Sequence, residues 1–229
     1  MGGGVIVLAL ETSTRWLSVA LWQDGAVLER QAESLTGGSA LVLPWVDELL
    51  AQAGIAKKNV DGIAFGAGPG SFTGLRLACG VAQGLACGLD RPTLAVGTLA
   101  ALAWASGEQR VFACMDARMN EVYFAAYERA GSDLTELAVP QVAPPEAVVL
   151  PVGSDWVGCG DGFATYGARL PQPAHIRAEL YPTATAVAAL AAPRLARGEG
   201  CDAALAMPFY VRDKVALTTA ERLARGGVR

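Results

Sequence analysis

The chain has 229 residues, 52% of them hydrophobic and 17% charged, which is enough to bury a sizeable core and excludes an intrinsically disordered polypeptide. Eighteen Lys and Arg against 22 Asp and Glu give a formal net charge of −4, the wrong sign for a protein that grips nucleic acid mainly through its own phosphate contacts. The uncharged stretches 77–89 and 92–107 fall short of the roughly 18 apolar residues that a membrane span needs, and Gly and Thr interrupt them, so no span is expected.

Residues 5–11 (VIVLALE) form a short apolar run that lacks a preceding basic region and ends at Glu11, which reads as a buried strand rather than a signal peptide. Strands follow at 16–22 and 26–34 around Asp24-Gly25, a strong hairpin signal. At Ser39–Ala53 the period changes: Leu43, Val46, Leu49 and Leu50 recur at helical spacing and Gly54 closes the segment. Residues 60–65 predict a strand, 73–89 a helix apolar on almost every side, 93–96 a strand and 99–105 a helix ending at Ser106-Gly107.

Near residue 110 the pattern restarts. An offset of 105 lays residues 6–25 over 111–130, sets Glu11 on Asp116, and places each acid at a strand end before a polar turn. Strands at 122–127 and 135–142 follow. Beyond them come Pro144-Pro145 opening a short helix, a short strand at 156–157, a turn at 158–162, and an Ala-rich helix at 183–197 expected to end or kink at Pro193. Residues 215–229 predict a last helix that frays at Gly226-Gly227. The expected fold class is α/β, in two lobes built from duplicated βββαβα units as in the actin, sugar-kinase and Hsp70 superfamily. The lobes are expected at 1–108 and 109–229, with the last helix able to pack back on the first.

The single histidine, His175, lies in a Pro-rich stretch that reads as a solvated loop; it cannot build a two-histidine metal site, and no GxSxG elbow accompanies it. The five cysteines (Cys79, Cys87, Cys114, Cys159, Cys201) are odd in number and show no CxxC spacing, which fits reduced thiols in a cytoplasmic protein. GAGPGSFTGLR at 66–76 joins a strand to a helix, and two uses of it stay open. Free backbone N–H groups and glycines such as Gly68 and Gly70 would suit an anion, whereas a rigid, tightly packed connection needs the same residues. It is neither a Walker A loop nor a dinucleotide fingerprint. Arg76 serves equally as an anion contact or a surface ion-pair partner. Glu11, Thr12, Ser13 and Thr14 offer a carboxylate and three hydroxyls where open α/β sheets bind ligands, or else cap a hairpin. Glu11, Thr12, Gly68, Gly70 and Asp116 are therefore the candidates for a nucleotide or metal-phosphate site, although no Lys stands near either acidic turn.

Four motifs in chain order, LALETST at 8–14, GAGPGSFTGLR at 66–76, DARMNEVY at 116–123 and PFYVR at 208–212, resemble the TsaB (YeaZ) family of bacterial accessory proteins for threonylcarbamoyladenosine at position 37 of tRNAs. The resemblance spans nearly the whole chain. It implies the two-lobed actin-like fold, a heterodimer with the catalytic paralogue TsaD, and a docking ATPase, TsaE; tRNA would be met only through that complex. It also implies self-pairing of the isolated chain through similar surfaces. In the paralogue, the helix equivalent to Ser39–Ala53 carries two metal-binding histidines; this chain has none there, in line with the resemblance. Glu11 stands where the family more often has Asp, and the stretch 35–39 lacks a histidine the family often shows. The resemblance therefore implies a non-catalytic partner with no cofactor and no metal, and it gives no support to a glycoprotease.

Helices at Ser39–Ala53 and 73–89 carry more apolar surface than one small sheet face covers, so they are buried in the core or against another chain. The resemblance selects Leu43, Val46, Leu50, Leu75, Arg76, Cys79 and Gln83 as partner-binding residues. An active nucleotide phosphotransferase or hydrolase of the same superfamily, using Glu11 or Asp116 to hold metal and 68–70 to hold phosphate, is the alternative.

Overall fold

The computed structural model describes residues 4–33 and 38–211. Its first sheet takes the order β3-β2-β1-β4-β5, from β1 (Ile6–Glu11), β2 (Trp16–Gln23), β3 (Ala26–Glu33), β4 (Gly62–Gly68) and β5 (Thr93–Gly97). β1 pairs antiparallel with β2 and parallel with β4, and it is covered on both faces, which explains its unbroken apolar run. Asp24 and Gly25 both take positive φ, +50° and +88°, the geometry of a tight two-residue hairpin turn.

The second sheet repeats this plan in β6 (Arg110–Asp116), β7 (Val122–Ala130), β8 (Asp133–Ala143), β9 (Val157–Cys159) and β10 (His175–Arg177). Its order, β10-β9-β6-β7-β8, is the first order read from the other edge, and each pair keeps the same sense. Glu11 and Asp116 end the equivalent strands β1 and β6. The repeat is complete in the sheets and incomplete in the helices. Between β3 and β4 stands α1 (Ser39–Ala53); between β8 and β9 there is only a 3-10 turn at Pro145–Ala147.

α1 and α2 (Phe72–Leu89) cover one face of the first sheet. Val42, Val46, Leu49 and Leu50 from α1, with Ala78, Cys79, Ala82 and Ala86 from α2, pack on Leu8, Leu10, Val19, Ile63 and Phe65. Gly54 ends α1 in the left-handed conformation (φ +67°), returning its N–H to the last carbonyls. By length and composition α2 could cross a membrane, longer than the 77–89 stretch suggests because Arg76 lies within it. Its inner face is packed onto β4, so it is a structural helix of this lobe.

The opposite face of the first sheet is covered by a helix from the second half of the chain. α5 (Ala184–Ala196) lays Ala184, Val187, Ala188 and Ala191 against Val7, Ala9, Ala20 and Ala64. Reciprocally, α3 (Thr98–Ser106) sends Leu99, Leu102 and Ala103 into the second sheet, against Val111, Ala113, Met115 and Tyr127. A cut near residue 108 separates the two sheets but not the packing, because each sheet borrows a helix.

Three expectations need correcting. The segment 158–162 is not a plain turn: Gly158 and Cys159 complete β9, and Asp161 opens α4 (Asp161–Tyr166). His175 is not in a loop but begins β10, with its side chain exposed. Of the two outcomes expected at Pro193 within the helix at 183–197, ending there is excluded: α5 runs through it to Ala196, since burial of its alanine face outweighs one lost backbone bond. The helix predicted at 215–229, the one expected to pack back on the first lobe, lies outside the described residues.

Candidate functional site

Two places collect the motif residues: the acidic strand ends, and one outer face of the first lobe.

At the first strand end, Glu11 is fully buried. Its Oε1 accepts the Ser13 N–H at 2.7 Å, while Oε2 has no hydrogen-bond partner among the described residues and lies over the backbone of Gly66, where a Cβ would overlap it. Burial holds the Glu11 pKa above the ordinary carboxyl value, and hydrogen bonding to Ser13 and Thr12 opposes the shift. A carboxylate that holds metal must be ionised and reachable; Glu11 is enclosed by its own chain.

The Gly-rich loop closes onto the same turn. Thr12 Oγ1 donates to the Gly74 carbonyl at 2.6 Å, and Ser71 N–H donates to the Ser13 carbonyl at 2.7 Å. Gly70 lies so near that a Cβ would stand 2.7 Å from Ser13 Cβ, and one at Gly74 would overlap the Thr12 carbonyl. At Gly68, with φ +126°, a Cβ would overlap the Phe209 carbonyl oxygen, and the Gly68 N–H donates to Thr98 Oγ1 at 3.1 Å. Of the two uses left open, the tightly packed connection describes this loop: its glycines permit close approach of the chain to itself.

At the second strand end, Asp116 is also occupied by neighbours. Its Oδ1 accepts from Arg118 N–H at 2.8 Å and from the Tyr166 hydroxyl at 3.0 Å; its Oδ2 pairs with Arg118 Nη1 at 3.0 Å. The turn it anchors holds Arg118, Met119 and Asn120 successively in the left-handed region, an arrangement that costs of order 1 kcal/mol per residue without such support. Asp161 Oδ1 accepts the Asp116 N–H at 3.0 Å, and burial, with Asp116 beside it, raises the Asp161 pKa. Sequence reading missed Asp161; an acid between two glycines directly after β9 was the available signal. Among the described residues, no group of three or more His, Cys, Asp or Glu is placed to share a metal.

The second place is a strap. After α5 the chain returns past β5, where Thr93 and Cys201 exchange backbone hydrogen bonds, and crosses α2. Ala206 sits in the core, its carbonyl accepting from Gln83 Nε2 at 3.0 Å and Cys79 Sγ at 3.4 Å. Phe209 N–H then donates to the Ala67 carbonyl at 2.6 Å, which delivers Tyr210 to the start of α2. There the Arg76 guanidinium lies over the Phe72 ring (3.7 Å to the centroid), and Arg76 Nε donates to the Tyr210 hydroxyl at 3.3 Å. Phe72 and Tyr210 rings are 5.8 Å apart. Two motifs more than 130 residues apart thus meet in one exposed cluster.

Of the residues selected for partner binding, Val46, Leu50, Leu75 and Cys79 are only 1–5% exposed. They form the inward stripes of α1 and α2 and are packed in the core of the first lobe. Leu43 (52% exposed) and Arg76 face outward, and Gln83 is half-buried beneath the strap. Leu41, Phe72, Leu205, Met207, Phe209 and Tyr210 join Leu43 among the exposed large apolar residues, all on α1, the start of α2 and the strap.

Two five-stranded sheets of one plan, each roofed by the other's helix, define a duplicated, actin-like α/β protein. The family model of TsaD, tRNA N6-adenosine threonylcarbamoyltransferase, matches residues 38–221. The chain is 34% identical over 223 residues to the tRNA threonylcarbamoyladenosine biosynthesis protein TsaB of Escherichia coli, covering 92% of this chain and 96% of that protein. It is 40% identical over 173 residues to the TsaB of Haemophilus influenzae, covering 70% and 73%. The solved structure of YeaZ from Pseudomonas aeruginosa superposes with a TM-score of 0.84 at 44% identity, over 90% of this chain and 99% of that one. The chain belongs to the TsaB (YeaZ) family.

Proposed function

We propose that this chain is a non-catalytic accessory subunit: it docks on a TsaD-type paralogue through the first lobe and enables that partner to transfer threonylcarbamoyl to adenosine 37 of tRNAs reading codons that begin with A. The observation that carries the proposal is the contrast between the two places described above. Glu11 is buried and Asp116 is held by Arg118 and Tyr166, whereas α1, the start of α2 and the strap carry large apolar side chains exposed to solvent. Relatives bearing the TsaB name are biosynthesis proteins for the same modified nucleoside, which supports the assignment to that process.

In this proposal a TsaE-type ATPase docks on the pair, tRNA is met through the complex in the cytoplasm, and the chain itself needs no cofactor. Self-association of the isolated chain through the same lobe is a competing use of that surface. Binding rests on apolar area, with a modest dependence on salt. Mixing the purified chain with the TsaD-type protein of its own genome at micromolar concentration and resolving the mixture by size exclusion tests the pairing. A co-eluting complex is expected; two separate peaks would contradict it. Calorimetry with Mg-ATP on the isolated chain tests the phosphotransferase alternative, for which heat of binding and a loss on Glu11→Gln would be required.

A further inference from the structure

We propose that Arg76 is the electrostatic anchor of this docking surface, and that the segment seated on it is a stretch of the paralogous partner presenting a carboxylate between apolar side chains. The inference rests on the docking function above and specifies its chemistry. Among the described residues no carboxylate pairs with Arg76, although most other surface arginines here have an acid within 4 Å. Phe72 beneath the guanidinium and Tyr210 on its Nε hold it in one orientation, so little side-chain entropy is left to lose on binding. Its neighbours Phe72 and Tyr210 are exposed apolar rings, and Met207 and Phe209 of the strap are exposed as well. A cation fixed in an apolar rim and lacking an anion becomes an uncompensated buried charge once covered, unless the covering surface brings the anion.

That requirement separates a hetero-partner from a second copy. Two copies meeting through the same patch would bring two Arg76 side chains together. Residues 71–84 and 205–211 contain no acid, and the two acids of α1 are already taken, Asp47 by Lys57 and Glu48 by Arg30. Among the described residues of this face a second copy offers Arg76 no free acid, so the occupant is the partner that supplies one.

Titration calorimetry with the TsaD-type protein of the same genome, run at low and at high salt, tests this on Arg76→Ala, Arg76→Lys, Arg76→Glu and Tyr210→Phe, with thermal melts to show that each variant folds. Arg76→Ala is expected to weaken heterodimerisation by roughly 30-fold or more and Arg76→Glu by more than that, both with a reduced salt slope. Arg76→Lys should fall between, because a point charge lacks the planar fork, and Tyr210→Phe should cost a few-fold. Sedimentation should show self-association unchanged or stronger in Arg76→Ala. Wild-type binding with every Arg76 variant within about twofold overturns the anchor while leaving the docking function standing. Loss of self-association in Arg76→Ala comparable to the loss of heterodimer would overturn the choice of occupant. Absence of wild-type binding would remove the docking function itself.

Discussion

Glu11 stands at a strand end where open α/β sheets bind ligands, yet its side chain is buried. The acid ends β1, as Asp116 ends β6, yet its carboxyl group is folded over Gly66 with one oxygen unpaired. A folded-state pKa above the unfolded value means that the native state holds the proton more tightly. The associated stability is fully present below the ordinary carboxyl pKa and is lost as pH rises through the raised one. Glu11→Gln, which mimics the protonated form, should therefore match wild type near about pH 4 and gain on it progressively as pH rises, as read from denaturant midpoints. An advantage for Glu11 at the higher pH would show that the carboxylate is ionised in the fold. Gly66→Ala and Gly74→Ala should each cost about 1–3 kcal/mol or more, because the new methyl meets a fully enclosed carboxyl group in one case and the Thr12 backbone in the other.

Among the elements, the strap most directly couples sequence to surface. Ala206 is buried and its carbonyl holds two α2 side chains, so Ala206→Glu should lower stability by at least about 2 kcal/mol in thermal melts. No periodicity announces such a segment: residues 200–211 contain no regular element beyond one 3-10 turn, and their place is set by long-range bonds to Thr93, Ala67 and Gln83. Strands and helices with strong local signals were legible: α1 was readable to the residue from its spacing and Gly54, and the β2–β3 hairpin from Asp24-Gly25. Where tertiary burial overrides local preference, as in α5 running on across Pro193, the local signal alone leaves the outcome at the proline open. The same limit explains the partner-binding residues. Apolar spacing identifies a helix with a face to bury, but Val46 and Cys79 on the inner stripe look no different in sequence from Leu43 on the outer one.

At the scale of the whole molecule, the exchange of helices ties the lobes together. Because α3 roofs the second sheet and α5 the first, neither half retains a complete core alone, and the chain should unfold in one transition with calorimetric and van't Hoff enthalpies in agreement. Leu102→Ala, in the first half of the sequence but packed in the second lobe, should cost about 2–5 kcal/mol and shift that single transition; two separate transitions would show independent lobes. The duplication itself was visible at an offset of 105 residues through the alignment of Glu11 with Asp116, whereas the missing second-lobe helix and the helix exchange depend on contacts no motif records. The central claim is that the outer face of the first lobe does the work and the strand-end acids do not. It is tested most directly by replacing the gene with Leu43→Asp or Glu11→Gln and measuring threonylcarbamoyladenosine in bulk tRNA by mass spectrometry. Near-complete loss of the modified nucleoside with Leu43→Asp and a normal level with Glu11→Gln is the predicted result; a normal level with Leu43→Asp and loss with Glu11→Gln would contradict it.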